Sequence, residues 1–280
     1  MAEITASMIK ELRERTQAGM LDCKKALTEC DGDMEKAAEF LRKKGLAAAN
    51  KRAGREAKEG LVFIKLSDDG KKGSIVELNC ETDFVAKNEE FHNLGNRITS
   101  EIFDNSLKSG AEIPAALDET IKGAIATTGE NMGIGSFDTI EIDKGAIASY
   151  IHSNGKIGVL VALASDASDS AVLCELGREL AMQAAAAFPQ YVTSDEVPET
   201  VKDKEREIYK EQMKNSGKPE NIIDKIVEGK LSKFYSDVCL VDQVFIKDSA
   251  KKVSDVVKEY STKAGSPIKI EKFIRVQIGG

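Results

Sequence analysis

Two stretches of the chain recur at one shared spacing. Gly73-Ser74-Ile75-Val76-Glu77-Leu78 returns as Gly155-Lys156-Ile157-Gly158-Val159-Leu160, and Leu94-Gly95-Asn96-Arg97-Ile98 returns as Leu176-Gly177-Arg178-Glu179-Leu180, both at an offset of 82 residues. A common offset constrains the fold more than a single motif does, because the same supersecondary unit must be built twice. In each copy a strand, a polar turn (Asp68-Asp69-Gly70 or Ser153-Asn154-Gly155) and a second strand predict a hairpin, with a helix after it. The first helix starts after Asn88, has Glu89 and Glu90 in the turn where the helix dipole favours acids, and aligns Phe91, Leu94, Ile98 and Ile102 on one face. The second aligns Val172, Leu173, Leu176, Leu180 and Ala184. Each helix can cover one face of its own sheet, so the expected fold class is α+β, with repeated core subdomains at 55–140 and 141–280.

Residues 4–45 carry a different pattern, that of three short helices. Met8, Ile9 and Leu12 recur at helical spacing, as do Cys23, Ala26, Leu27 and Cys30, and then Met34, Ala37, Ala38 and Leu41. Ala18-Gly19 separates the first helix from the second, Asp33 is the expected N-cap of the third, and Gly45 its expected stop. With the segment that follows, residues 1–54 are expected to form a three-helix bundle and a basic connector. From Phe40 to Lys58 there are seven basic residues and one acid, Glu56, which reads as a solvated helical or flexible linker; an RNA or phosphate patch is the alternative, unsupported by interleaved aromatics. Residues 195–235 hold ten acids and nine bases around two helical patterns, one marked by Val201 and Ile208, the other by Ile222, Ile223, Ile226, Val227, Leu231 and Phe234. This predicts a helical hairpin turning at Asn215-Ser216-Gly217-Lys218-Pro219, either packed on its own protein or serving as a homodimerisation arm. Val238-Cys239-Leu240, Val244-Phe245-Ile246 and Phe273-Ile274-Arg275-Val276 then read as strands that close the second sheet.

Composition narrows the function classes. No run approaches the roughly 20 apolar residues of a membrane span, and Met1-Ala2-Glu3-Ile4 lacks the start of a secretory signal, so a cytoplasmic chain without a membrane partner is expected. Cys23, Cys30, Cys80, Cys174 and Cys239 form no C-x-x-C pair and are expected to be reduced thiols, with neither disulfide nor metal. The phosphate-loop pattern is absent, and Gly133-Ile134-Gly135-Ser136 lacks the third glycine of a dinucleotide fingerprint. No cofactor and no catalytic residue is expected, hence no enzyme. The net charge of −7 disfavours a general nucleic-acid binder, although residues 1–58 hold thirteen bases against ten acids and so carry +3 while the remainder carries −10.

Two positions interrupt the regular pattern. In Asn79-Cys80-Glu81-Thr82-Asp83-Phe84-Val85-Ala86-Lys87-Asn88, which joins strand to helix, Phe84 reads by pattern alone as an apolar plug against that helix; the sharper reading is an acid-plus-aromatic wedge. His152 ends a strand in Ser149-Tyr150-Ile151-His152-Ser153, where a lone histidine reads first as a satisfied surface or core residue.

Taken together, these residues resemble a family. Leu12-Arg13-Glu14-Arg15-Thr16 with Ala18-Gly19-Met20-Leu21-Asp22-Cys23-Lys24-Lys25-Ala26-Leu27 is similar to the N-terminal signature of bacterial elongation factor Ts, the nucleotide-exchange factor for elongation factor Tu. Asn79 to Ala86 is similar to the second signature, His152 with Ile157-Gly158-Val159-Leu160 to the third, and Ser216-Gly217-Lys218-Pro219 to the helical arm. The resemblance implies a ubiquitin-associated-like bundle that docks on the G domain of the GTPase through the stretch holding Arg13, Met20, Leu21 and Lys24. It implies that Thr82, Asp83, Phe84 and Val85 bring an acid and a ring near the partner's magnesium site, that His152 enters an apolar crevice, and, less directly, that Gly129 in Thr128-Gly129-Glu130-Asn131 is a further contact. The chain departs from the family at Gln243-Val244-Phe245, where a Gln-Pro-Phe turn is common, and it stops at Gly279-Gly280 without the C-terminal helix of some members. The competing reading is a ubiquitin-associated-type adaptor or RNA-binding module using the basic connector.

Overall fold

A computed structural model describes residues 4–16, 18–52, 54–214 and 219–279. The N-terminal segment forms α1 (Ala6–Thr16), α2 (Met20–Glu29) and α3 (Met34–Arg52). Then come β1 (Glu59–Leu66), β2 (Lys72–Cys80), the single turn α4 (Asp83–Ala86), α5 (Glu89–Asp104), α6 (Ala115–Thr128) and β3 (Met132–Glu141). The rest is β4 (Ala146–Ile151), β5 (Ile157–Ala164), α7 (Ser170–Ala187), α8 (Glu199–Met213), α9 (Glu220–Val238), β6 (Val244–Phe245), β7 (Asp248–Lys252), α10 (Val253–Ala264) and β8 (Lys269–Gln277). Helices and small sheets make this an α+β protein. The chain divides into two compact units, one of Met1–Lys65, Ser74–Thr139 and Val276–Gly280, the other of Leu66–Gly73 and Ile140–Arg275.

In the first unit the bundle closes over Leu12, Cys23, Ala26, Leu27, Ala37 and Leu41. Asp33 starts α3 by accepting from the backbone N–H of Glu35 at 3.1 Å and of Lys36 at 3.0 Å, after a reversal in which Asp31 and Gly32 take positive φ. Gly45 does not stop α3, which continues to Arg52. The glycine serves packing instead: a Cβ there would lie 2.6 Å from the Cβ of Ala126 on α6, so its absence lets the two helices approach.

The repeat becomes visible in the sheets. Strand orders are β1-β2-β3 and β4-β5-β8, so in each a hairpin is joined by a later strand alongside its second member. β4 and β5 pair antiparallel from Ala146↔Leu163 to Ile151↔Gly158, and Gly155 takes φ +71° in the intervening turn. Helix α5 turns Phe91, Leu94, Ile98 and Ile102 inward, and α7 does the same with Val172, Leu173, Leu176, Leu180 and Ala184. The glycine shared by the two copies is where each helix meets its sheet. A Cβ on Gly95 would sit 2.2 Å from the Phe63 ring of β1, and one on Gly177 would sit 2.5 Å from the Cβ of Ala148 on β4.

Val238-Cys239-Leu240 is not a strand. Helix α9 runs to Val238, Cys239 makes an isolated bridge with Tyr191, and Leu240–Asp242 is a short 3-10 turn. All three residues are buried, and a short apolar run between a helix and a turn has no periodicity to separate strand from helix end. Val244–Phe245 is extended, paired with β7. Gln243 before it has φ −65° and ψ 147°, the backbone that a proline at the next position would require. The hairpin α8–α9 is bridged by Lys210 and Asp224 at 3.4 Å; Val227 and Leu231 of α9 are buried and no residue of α8 is, while Asn215, Ser216, Gly217 and Lys218 of the expected turn lie outside the described residues.

Gly95→Ala and Gly177→Ala will each overpack a helix–sheet contact. Equilibrium urea unfolding of the full chain is expected to show a loss of about 1–3 kcal/mol for either variant, against a small gain of about 0.5–1 kcal/mol for the exposed helical Gly229→Ala.

Candidate partner-docking site

The segment between β2 and α5 is tightly built. Thr82 is extended (φ −126°, ψ 154°) and caps α4, its Oγ1 accepting from the Val85 N–H at 3.4 Å. The carboxylate of Glu130 receives the Thr82 N–H on one oxygen at 3.0 Å and the Thr82 hydroxyl on the other at 2.7 Å. A third bond runs the opposite way, from the Asn131 N–H to Glu81 Oε1 at 2.6 Å, and the Asn131 side-chain amide donates to the Arg55 carbonyl at 2.6 Å. Gly129, at φ +80°, ends α6 in the left-handed conformation that turns the chain toward Glu130. Thr82, Asp83, Phe84, Val85 and Gly129 therefore belong to one neighbourhood, together with Glu81, Glu130 and Asn131, which were not expected as site residues. For Glu130 and Asn131 the signal was a polar pair placed directly after a glycine helix stop.

Helix α4 sorts its side chains by direction. Val85 and Ala86 are buried and join the core around Phe91, whereas Phe84 is 77% exposed. The plug reading of Phe84 is thus overturned: successive helical residues differ by about 100° in direction, and the inward positions are taken by the smaller pair. Full burial of such a ring contributes about 1.5–3 kcal/mol, so the protein alone forgoes most of that gain. Asp83, next to Phe84 in sequence, pairs with Lys87 at 2.6 Å.

A second exposed apolar pair lies at the start of α2. Cys23, Ala26 and Leu27 face the bundle core, which leaves Met20 58% and Leu21 85% exposed. Lys24 and Arg13 are exposed nearby in sequence and on the same bundle, with no acidic partner among the described residues. The bundle's corners are held by Arg15–Glu35 at 2.7 Å and Lys44–Asp22 at 2.6 Å.

His152 lies in the other unit, directly after β4. Its N–H donates to the Ile157 carbonyl at 2.9 Å, and its carbonyl accepts from the Gly155 N–H at 2.7 Å, which fixes the turn. The ring is exposed, with Nδ1 3.1 Å from the Tyr150 hydroxyl and the exposed Ile151 next to it in sequence.

Cys80 lies under the α4 segment with its thiol donating to the Thr82 carbonyl at 3.1 Å, and burial, with Glu130 and Glu59 adding repulsion, pushes it up from 9.0 to about 12. It is a neutral thiol at physiological pH. Gly133–Ser136 lies within β3 and forms no loop at a helix start.

A family model described as Elongation factor TS matches residues 81–280. The chain is 48% identical over 283 residues to "Elongation factor Ts" of Clostridium perfringens (strain SM101 / Type A), an alignment covering 99% of this chain and 93% of that protein. The same identity, over 285 residues and with the same coverage, relates it to "Elongation factor Ts" of Clostridium novyi (strain NT), and over 283 residues to that of Clostridium botulinum (strain Alaska E43 / Type E3).

Alkylation with iodoacetamide at about pH 8 is expected to modify the exposed Cys174 and spare Cys80 and Cys239 until the chain unfolds, as peptide mass mapping would show. Because the folded Cys80 thiol is raised from 9.0 to about 12, its neutral form is favoured by folding; that contribution is complete below pH 9.0 and is lost as pH rises toward 12.

Proposed function

The chain belongs to the elongation factor Ts family of translation elongation factors, and from that premise we propose that it is a guanine nucleotide exchange factor, acting on elongation factor Tu by promoting GDP release. The observation that carries the reading is Phe84, an aromatic ring left exposed on a helical turn whose backbone is held by the Thr82–Glu130 bonds. A GTPase holds GDP through Mg²⁺ and a phosphate-cradling loop. An inserted ring that shifts the elements flanking the metal, with the Asp83 carboxylate beside it, lowers the stability of the nucleotide-bound state relative to the empty one. Exchange of this kind needs binding energy and no covalent step.

The division of labour follows the organisation expected from sequence. The bundle and connector, residues 1–54, dock on the G domain of the GTPase through Arg13, Met20, Leu21 and Lys24. Thr82 and Val85 support Asp83 and Phe84 from beneath, Gly129 borders the same patch, and His152 fills an apolar crevice of the partner. The core comprises subdomains 55–140 and 141–280, and the hairpin 195–235 stands as the arm available to a second copy. Reciprocity is required: if this chain weakens GDP binding by a given factor, GDP weakens the chain's binding by the same factor, each tenfold corresponding to about 1.4 kcal/mol. The RNA-binding alternative loses ground because two bases of the connector are neutralised locally, Lys43 by Glu39 at 2.8 Å and Lys44 by Asp22 at 2.6 Å.

Stopped-flow release of a fluorescent GDP from elongation factor Tu tests the reading, and unchanged release on adding the chain would overturn it. Phe84→Ala is expected to slow release about tenfold or more while leaving the urea midpoint nearly unchanged, since the ring it removes is already in water. Leu21→Ala is expected to raise the concentration needed for half-maximal release and leave the maximal rate nearly intact.

A further inference from the structure

We propose that Glu130 is a positioning residue for nucleotide exchange, holding α4 in the orientation that presents Asp83 and Phe84. The proposal rests on the exchange reading of Phe84 and names the group on which that ring's orientation depends.

Helix α4 is a single turn, too short to hold its own geometry. Its start must be pinned from outside, and Glu130 is placed to do so. One carboxylate oxygen takes the Thr82 N–H at 3.0 Å and the other takes the Thr82 hydroxyl at 2.7 Å. The bidentate grip orients the hydroxyl so that its remaining lone pair faces the Val85 N–H at 3.4 Å. Thr82 O in turn accepts from the Ala86 N–H at 3.3 Å, so both ends of the turn hang on one residue that Glu130 fixes. Glu130 itself is steadied: the left-handed Gly129 places it, and the bond from Asn131 N–H to Glu81 Oε1 at 2.6 Å ties the next residue back to the same segment. Bonds running in both directions across the two short segments, two from Thr82 and one from Asn131, oppose sliding of either. An exposed ring that must enter a partner at a set angle gains from such pre-organisation, because orienting it during binding would cost side-chain and backbone entropy.

Chemistry predicts a graded series. Glu130→Ala removes both acceptors. Glu130→Gln keeps one carbonyl oxygen for the Thr82 N–H and can donate its amide to the Thr82 hydroxyl, so it retains much of the grip. At saturating chain, the maximal GDP release rate is expected to fall about tenfold for Glu130→Ala and to stay within about threefold of wild type for Glu130→Gln. Ser74→Ala, which breaks the buried Ser74–Thr139 hydroxyl pair at 2.7 Å elsewhere in the unit, is the stability control and is expected to lower the urea midpoint without slowing release.

A double-mutant cycle distinguishes positioning from general structural support. If Glu130 acts through α4, adding Glu130→Ala to a chain that already carries Asp83→Ala and Phe84→Ala produces little further loss; multiplying losses would overturn the proposal, as would a wild-type maximal rate in Glu130→Ala. Native-state amide exchange provides a readout independent of any GTPase. Val85, Ala86 and Lys87 are expected to exchange faster in Glu130→Ala and not in Ser74→Ala, and unaltered protection would overturn the proposal. Should the wild-type chain leave GDP release unchanged, the exchange reading fails, while the amide measurement still decides whether Glu130 holds α4.

Discussion

The close seating of one helix on each small sheet is the constraint from which the rest follows. A three-stranded sheet is stable only with a face covered, and here α5 and α7 come so near their hairpins that the contact position has room for hydrogen alone, at Gly95 and Gly177. That seating buries Ile98 and Ile102 in one unit and Leu176 and Leu180 in the other with no measurable exposure. Because α5 is held so firmly, the short link that enters it from β2 has a rigid base at both ends. A rigid base is what a presented side chain requires.

The link between β2 and α5 shows how a protein keeps a large apolar group in water without collapsing around it. Val85 and Ala86 fill the space beneath the turn, Thr82 is held by Glu130, and Phe84 has no inward position left to occupy. The polar cross-bracing matters as much as the packing. Each hydrogen bond to a charged group contributes about 1.5–3 kcal/mol, comparable to what burying the ring would return, so the exposed arrangement is sustained against collapse. The bundle solves the same problem differently: α2 commits Cys23, Ala26 and Leu27 to the core and leaves Met20 and Leu21 outside on a regular helix.

Much of the fold was legible because its signals are local. Helical spacing in Phe91, Leu94, Ile98 and Ile102, the turns at Gly70 and Gly155, and the cap at Asp33 each act within a few residues and appear in the structure where the pattern put them. The pattern misled where a residue's role was set by packing and not by local propensity. Gly45 looks like a helix stop until Ala126 is found against it. Val238-Cys239-Leu240 looks like a strand because burial, not pairing, explains its apolar run. Phe84 looks like a plug until Val85 and Ala86 are seen in its place. Glu130 lies in the stretch Thr128-Gly129-Glu130-Asn131, but nothing in that stretch points to Thr82, 48 positions away.

Periodicity, turn chemistry and the recurring glycine thus dictated from the linear chain the helices α1–α3, α5 and α7 and the hairpins that turn at Gly70 and Gly155, and marked the loop after Cys80 as unusual. Which side chains of that loop face water, and what steadies it, depended on packing in three dimensions. The reason is that a propensity acts over one or two turns of backbone, whereas the direction of Phe84 is set by volume already filled by Val85 and Ala86 and by a carboxylate that arrives from the far end of another helix.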